Sequence, residues 1–199
     1  MVLKTLLRDA VKLLRATQGA TAVEYAILAP VLLLLLVGII EYNAMMYAST
    51  VLEGATAIAS RQGKTGYVAS GMSQQDYIYG VVQNRVSGIL TPAQLQITSK
   101  SYANLAVVGK PEPCVSPPAT PCNGTPGINF VDVNHNGIWD SDQGAAGLGT
   151  SGDIVVYTVT YPWKIMTPIM LSYLGTNGTF TLTSSSIVRN EPYTIAVTR

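Results

Sequence analysis

The stretch Gln18-Gly-Ala-Thr-Ala-Val-Glu-Tyr-Ala-Ile-Leu-Ala-Pro-Val-Leu-Leu-Leu-Leu-Leu-Val-Gly-Ile-Ile-Glu41 decides how the chain is organised. No charged residue occurs from Tyr25 to Ile40. A bilayer core is crossed by about 20 apolar residues in a helix, so this run predicts a transmembrane segment over about residues 25–45. Upstream, residues 1–19 carry Lys4, Arg8, Lys12 and Arg15 against Asp9 alone. A basic flank before an apolar run keeps the N-terminus in the cytoplasm and sends the remainder across. One acid, Glu24, stands at the threshold five residues after Gly19. An ionised carboxylate near hydrocarbon is costly, so it finds a partner or stays solvated at the headgroups.

Outward from this run, the helical pattern continues. Residues 20–62 read as one helix, roughly 65 Å long at 1.5 Å per residue, which crosses the membrane and projects beyond it. Pro30 removes one backbone bond and is expected to kink or loosen the helix, as membrane helices tolerate. The outer half offers Tyr42, Met45, Met46, Val51, Leu52, Ala55, Ile58 and Ala59 for packing on a domain. Glu41 and Glu53 lie outside the apolar run and read as a solvated or interfacial face. Gly63 and Gly66 offer a stop. On the other side, Leu3, Leu6, Leu7, Ala10, Val11 and Leu14 share one helix face, and the four cations line another. That is either a basic amphipathic helix on the inner membrane surface or the plain basic flank of a signal segment.

The remainder is Ser-, Thr-, Gly- and Tyr-rich. Ser73-Gln-Gln-Asp76 has the form of a helix cap, and the apolar spacing after it predicts a second helix over 74–88. Residues 95–108 read mostly as strand, Asp153–Tyr161 as the clearest strand, and Phe180–Val188 as a third. A short helix is expected over 167–174, with Pro168 in its first turn. Residues 109–152 are rich in Pro, Gly, Asn and Asp with little periodicity and read as a long loop insertion. The fold class is α+β: a long N-terminal transmembrane helix, then a small extracytoplasmic domain over 63–199 with an antiparallel sheet.

Composition narrows the function. The 199 residues carry a formal charge of +1, which gives no electrostatic footprint for nucleic acid. A single histidine, His135, excludes a His-rich metal centre, and no Ser/His/Asp arrangement or phosphate loop can be assembled, so no enzyme is indicated. Trp139, Trp163 and the eleven tyrosines read as core or interface anchors rather than a ligand cage.

The order of the small residues carries more information. A secretory signal places its cleavage site after the apolar core. Here Gly19-Ala-Thr-Ala-Val comes before it. A cut after Gly19 would remove the basic leader, 1–19, and leave the apolar helix attached, with Glu24 as the fifth mature residue and Tyr25 as the sixth. In this respect the sequence resembles type IV pilin-like precursors, and the Glu24-Tyr25 pair resembles the Flp/Tad subclass. The run from Gly19 through Ser49, together with Val155–Trp163 and Ser186-Ile-Val-Arg-Asn-Glu-Pro192, resembles TadE-like pseudopilins. The resemblance covers roughly residues 15–66 and 153–193 and leaves out the insertion.

The resemblance implies a minor pseudopilin of Tad pilus biogenesis, held in the bacterial inner membrane or incorporated in an extracellular pilus, with a role in adhesion, biofilm formation or secretion. It implies cleavage by a prepilin peptidase between Gly19 and Ala20, and assembly with other pilin or pseudopilin subunits and the Tad inner-membrane machinery. Glu24 would pair with the new ammonium at Ala20 of a neighbour; the plainer reading leaves it solvated at the headgroups. Two other functions stay open: a membrane-anchored, calcium-stabilised binding or adhesion domain that never enters a fibre, and a secreted protein cut near Ala48.

Two features lie in the insertion. Asp132, Asn134, Asn136, Ile138 (through its carbonyl), Asp140 and Gln143 fall at the spacing of a twelve-residue calcium loop, with Gly137 at its sharp turn. The pattern resembles EF-hand-like loops, but Gln143 stands where a bidentate acid is expected, and Asp142 is offered in its place. The expectation is a low-affinity Ca²⁺ site; the alternative is a turn cluster that binds nothing. Cys114 and Cys122 bracket a Pro-rich loop and, outside the cytoplasm, are expected to form a disulfide, with two free thiols as the alternative.

Overall fold

The computed structural model describes residues 18–115, 122, 126–167 and 178–192. The expected leader helix over 3–15 and most of the short helix over 167–174 lie outside these residues. Helix α1 runs Gln18–Lys64, 47 residues, and continues through Pro30 without ending there. Its last turn carries Arg61 and Lys64, which complement the negative end of the helix dipole. Helix α2, Gln74–Val86, starts where expected: the Ser73 side chain accepts from the Asp76 amide, and Asp76 sits in the first turn.

The sheet has four strands: β1 Gln96–Tyr102, β2 Ala145–Ala146, β3 Ile154–Lys164 and β4 Thr179–Arg189. Their order is β2-β1-β3-β4, with every neighbour antiparallel. The first expected strand ends early. Asn104 turns its side chain onto the Ala106 amide and sets a 3-10 turn over Leu105–Val107, a local bond that competes with the ladder. In contrast, β3 outruns its expected end at Tyr161. Pro162 falls beyond the last β1 pair, Gln96 with Thr160, where a missing N–H is tolerated. The insertion also supplies structure that its composition hides, since Ala145–Ala146 pairs with Ser101 and Lys100 as an edge strand.

Alternate residues of β3, from Val155 through Tyr157, Val159 and Tyr161, are buried on one face. They meet a stripe on α1 of Ala48, Leu52, Ala55 and Ala59, with Ile78, Val82 and Val86 of α2 closing the core. The stripe recurs every three or four residues, the helical period. Tyr42 and Met46, expected in this packing, are instead exposed at 57% and 48%, because they lie one position round the helix from the stripe. Met45 and Val51 pack at its margin.

The small residues of the stripe let the helix approach the sheet closely, and Gly63 marks the tightest point. A Cβ there would stand 1.8 Å from the Tyr157 hydroxyl oxygen and 3.3 Å from Ile78 Cδ1. Tyr157 is 1% exposed and cannot swing aside. Gly63→Ala is expected to destabilise the full chain by about 1–3 kcal/mol, the usual cost of overpacking. Gly54→Ala, where a Cβ meets nothing within 4 Å, is expected to be neutral or to gain up to about 1 kcal/mol from helix propensity. Thermal melting in detergent, read for both variants, checks the pair.

Candidate functional site

Among the described residues, no part of the folded head covers the first half of α1. From Thr21 to Ile40 every described side chain is exposed or half-exposed, including Val23, Ile27, Leu32 and Ile40. The most apolar 18-residue window of the helix has a mean hydropathy of 2.5 and is 0% buried. A buried core helix passes the same length and composition test, but only a helix meant for another apolar medium leaves such a surface uncovered. Gly19 and Glu24 are exposed on this rod, Tyr25 is 70% exposed, and Ala20 lies between them within the same helix. Ala20 and Glu24 are one turn apart and share a face.

The rod meets the folded head at Glu41. The sequence placed this residue on a solvated or interfacial face; it is buried against the head at 6% exposure. Its Oε1 accepts from the Met166 amide at 2.6 Å, and its Oε2 accepts from the Thr167 amide at 3.1 Å and from the Thr167 hydroxyl. The carboxylate thus fastens the helix to the segment leaving β3. Glu41 lies four and seven positions before Met45 and Ala48, so it is the first member of the packed stripe. The periodicity that exposed the stripe could have found it; its charge argued against burial. Glu53, by contrast, is exposed as expected.

At the other end of the head, Arg189-Asn190-Glu191 closes the fold. Asn190 is 2% exposed; its side-chain amide donates to the Leu148 and Thr150 carbonyls, and its backbone amide donates to Asp153. Glu191 pairs with Lys64 at 2.9 Å, and its amide donates to the Lys64 carbonyl, capping the end of α1. These residues tie the last strand to the helix terminus and to the loop before β3.

The Asp/Asn loop folds into a compact turn. Asp132 accepts from the Asn136 and Gly137 amides, Asn134 accepts from the Asn136 amide, and Asn136 accepts from the Ile138 amide. His135 and Gly137 both take positive φ, 60° and 84°. The Asn134 and Asn136 side-chain amides converge on Asp140 Oδ2 at 2.8 and 2.5 Å, and these two bonds hold the Asp140 carboxyl below its ordinary range. Asp142 and Gln143 are placed elsewhere. Asp142 pairs with Lys100 at 2.7 Å and accepts from the Tyr102 hydroxyl, while Gln143 is buried and its amide donates to the Lys110 carbonyl. Among the described residues, no group of three or more His, Cys, Asp or Glu is gathered where it could hold a metal. The loop's own donor set is two carboxylates, two amides and a carbonyl, hard oxygens suited to Ca²⁺ once the Asn amides turn their oxygens inward.

A residue outside the motif organises this loop. Glu112 is 1% exposed, and its carboxylate accepts from the Val133, Asn134 and Asp140 amides, bridging the start and end of the loop. Trp139 donates its indole N–H to the Glu112 carbonyl. No local spacing in the sequence links Glu112 to a loop some twenty residues on. Nearby, Cys114 and Cys122 are joined in a disulfide with Cα atoms 5.6 Å apart.

The insertion is held to β1 through Tyr102. Burial, then the hydrogen bond to Asp142 and that carboxylate's charge, push the Tyr102 hydroxyl up to about 12. Burial pulls the Asp142 carboxyl upward, but hydrogen bonds from Lys100 and Tyr102 outweigh it and hold the group below its ordinary value. A raised tyrosine favours its neutral form in the fold, so its contribution is complete below pH 10 and is lost as pH rises from 10 toward 12. A depressed Asp142 contributes above about pH 4 and loses that contribution as pH falls through its folded value. Tyr102→Phe is therefore expected to flatten the alkaline part of a melting-temperature profile and leave the neutral region without that slope.

No curated protein and no solved structure matches the chain. The stretch 153–193, whose residues Arg189–Glu191 form the clasp on Lys64, lies outside the family match. That match begins at Gly19, ahead of Glu24, and follows α1 almost to its end: residues 19–61 match the family model for TadE-like protein, so the likeness rests on this helix alone.

Proposed function

We propose that this chain is a structural, non-catalytic minor pseudopilin of Tad (Flp) pilus biogenesis, cut by a prepilin peptidase between Gly19 and Ala20. The observation that carries the reading is the pairing of a TadE-like match starting at Gly19 with a helix left bare over its membrane-length half. Such a helix serves first as a single-pass inner-membrane span, N-terminus in the cytoplasm and head outside. It then becomes a packing element among pilin or pseudopilin subunits served by the Tad inner-membrane machinery. In that bundle Glu24 of one subunit takes the Ala20 ammonium of a neighbour, a group that forms only on cleavage. The mature N-terminus, read by mass spectrometry on protein from the native membrane, tests the reading: Ala20 supports it.

The anchored adhesion domain is separated from this reading by the same measurement, since an uncut anchor keeps Met1. Cleavage near Ala48 is disfavoured by the fold, because Ala48 is fully buried in the core stripe of an unbroken helix.

With either function, the 132–140 loop is proposed to take Ca²⁺ at low affinity, with Asp132, Asn134, Asn136, Asp140 and the Ile138 carbonyl as ligands. With only two carboxylates, a dissociation constant of about 10⁻⁴–10⁻³ M is expected. Calorimetry and melting of the full chain at millimolar calcium should give binding heat and a raised melting temperature, both lost in Asp140→Ala. Neither signal in the unaltered chain contradicts the site.

A further inference from the structure

The junction between rod and head has more apolar surface than a soluble domain needs there. Helix α1 runs parallel to β4, with Ser186 donating to the Ser60 hydroxyl and Lys64 paired with Glu191, and so antiparallel to β3, with Glu41 by Met166. The Lys164 end of β3 is therefore level with the end of the bare rod. Gly38, Glu41, Tyr42 and Met45 of the helix face Trp163, Ile165 and Phe180 across a groove of about 260 Å³ with no polar surface. Phe180 of its lining is 43% exposed, and Met166, the residue after Ile165, is 65% exposed.

Length decides what covers this groove. The uncharged run Tyr25–Ile40 has 16 residues and spans roughly 24 Å, short of a hydrocarbon core of about 30 Å. With Glu24 at one boundary, the far boundary lies beyond Glu41, near Met45. Glu41 can sit at that depth because its carboxylate is already met by the Met166 and Thr167 donors. The sequence places no acid on α1 between Glu41 and Glu53, and none in residues 161–167 or 178–183. The described charge at the sheet tip is the exposed cation Lys164. Apolar and aromatic side chains with a lysine beside them are what the headgroup–acyl boundary takes.

We propose that the head is seated on the bilayer: the tip of β3–β4, through Trp163, Met166 and Phe180 with Tyr42 and Met45 of the helix, enters the headgroup–acyl boundary of the leaflet from which α1 emerges. This rests on the membrane-anchored reading of α1. The head would then hang from the membrane by two contacts, the span and the tip, and its orientation would be fixed rather than free about residue 41. Leaving the bilayer for a fibre would require the tip to find a new apolar cover.

The test uses the full chain reconstituted into phosphatidylcholine–phosphatidylglycerol vesicles. Trp139→Phe leaves Trp163 as the single tryptophan, and Trp163→Phe leaves Trp139 in the insertion. A nitroxide lipid labelled near the headgroup should quench Trp163 several-fold more than Trp139. A polarity-sensitive label on Phe180→Cys, an exposed position, should shift to the blue on reconstitution and gives a reading independent of either tryptophan change. Equal quenching of the two tryptophans with no shift at position 180 overturns the proposal. So does cross-linking of two copies through Phe180→Cys with the lipid quenching lost, which would assign the groove to a second subunit. Flotation with the vesicles separates the two levels: a chain that floats but shows neither signal is anchored without a seated head, and a chain that does not float refutes the anchor as well.

Discussion

Glu24→Ala is expected to leave cleavage and membrane insertion intact and to lower the yield of assembled fibre more than tenfold. The carboxylate is exposed on a part of α1 that none of the described residues of the head covers, so removing it disturbs no packing among them. Its worth appears only between subunits. A surface ion pair contributes about 0–1 kcal/mol. A pair held among apolar helices is different, because losing one partner strands the other charge at a cost of about 3–5 kcal/mol. Repeated along a polymer, a loss of that size abolishes growth. Glu24→Gln keeps the shape and removes the charge, and it should fail in the same way. Blotting of sheared surface material against the membrane fraction measures both variants. Normal fibre from Glu24→Gln would leave the headgroup-level reading of Glu24 standing.

The second large effect is expected at Gly19. Replacing it with alanine or a bulkier residue, leucine for instance, should block processing and accumulate a precursor that still carries the basic leader. The fold gives no steric reason for glycine here, since a Cβ at Gly19 meets nothing within 4 Å. A loss of processing in Gly19→Leu therefore reports on the peptidase rather than on folding. Unchanged melting of the precursor head, measured beside the blot, would separate the two. The precursor should also fail to assemble although Glu24 is intact, because the ammonium that Glu24 is proposed to meet has not been made.

Much of this architecture was legible because it is written in local order. The basic flank, the uncharged run and the helical stripe from Leu52 to Ala59 follow from spacing alone, and so does the Ser73 cap. The alternation of β3 marked it as the clearest strand. What escaped depends on contacts between distant residues. Glu41 read as part of a solvated or interfacial face because a carboxylate after an apolar run usually is; its burial depends on two amides some 125 residues away. Tyr42 and Met46 read as packing residues on hydrophobicity, but the register set by the stripe turns them out. Glu112 gave no signal, since its role is to bridge a loop it does not neighbour. The pair Ala145–Ala146 is too short to carry a period. In the calcium motif the spacing brought together Asp132, Asn134, Asn136 and Asp140, whereas Asp142 was drawn off by Lys100 and Tyr102, partners that spacing cannot see.

In this reading α1 begins its working life only after the leader is removed. Mass spectrometry of the N-terminal peptide from protein in its native membrane tests that most directly. The expected result is a mature chain starting at Ala20, with Glu24 fifth and Tyr25 sixth. A chain that retains Met1 in the assembled fraction, or one that starts near Ser49, would contradict it.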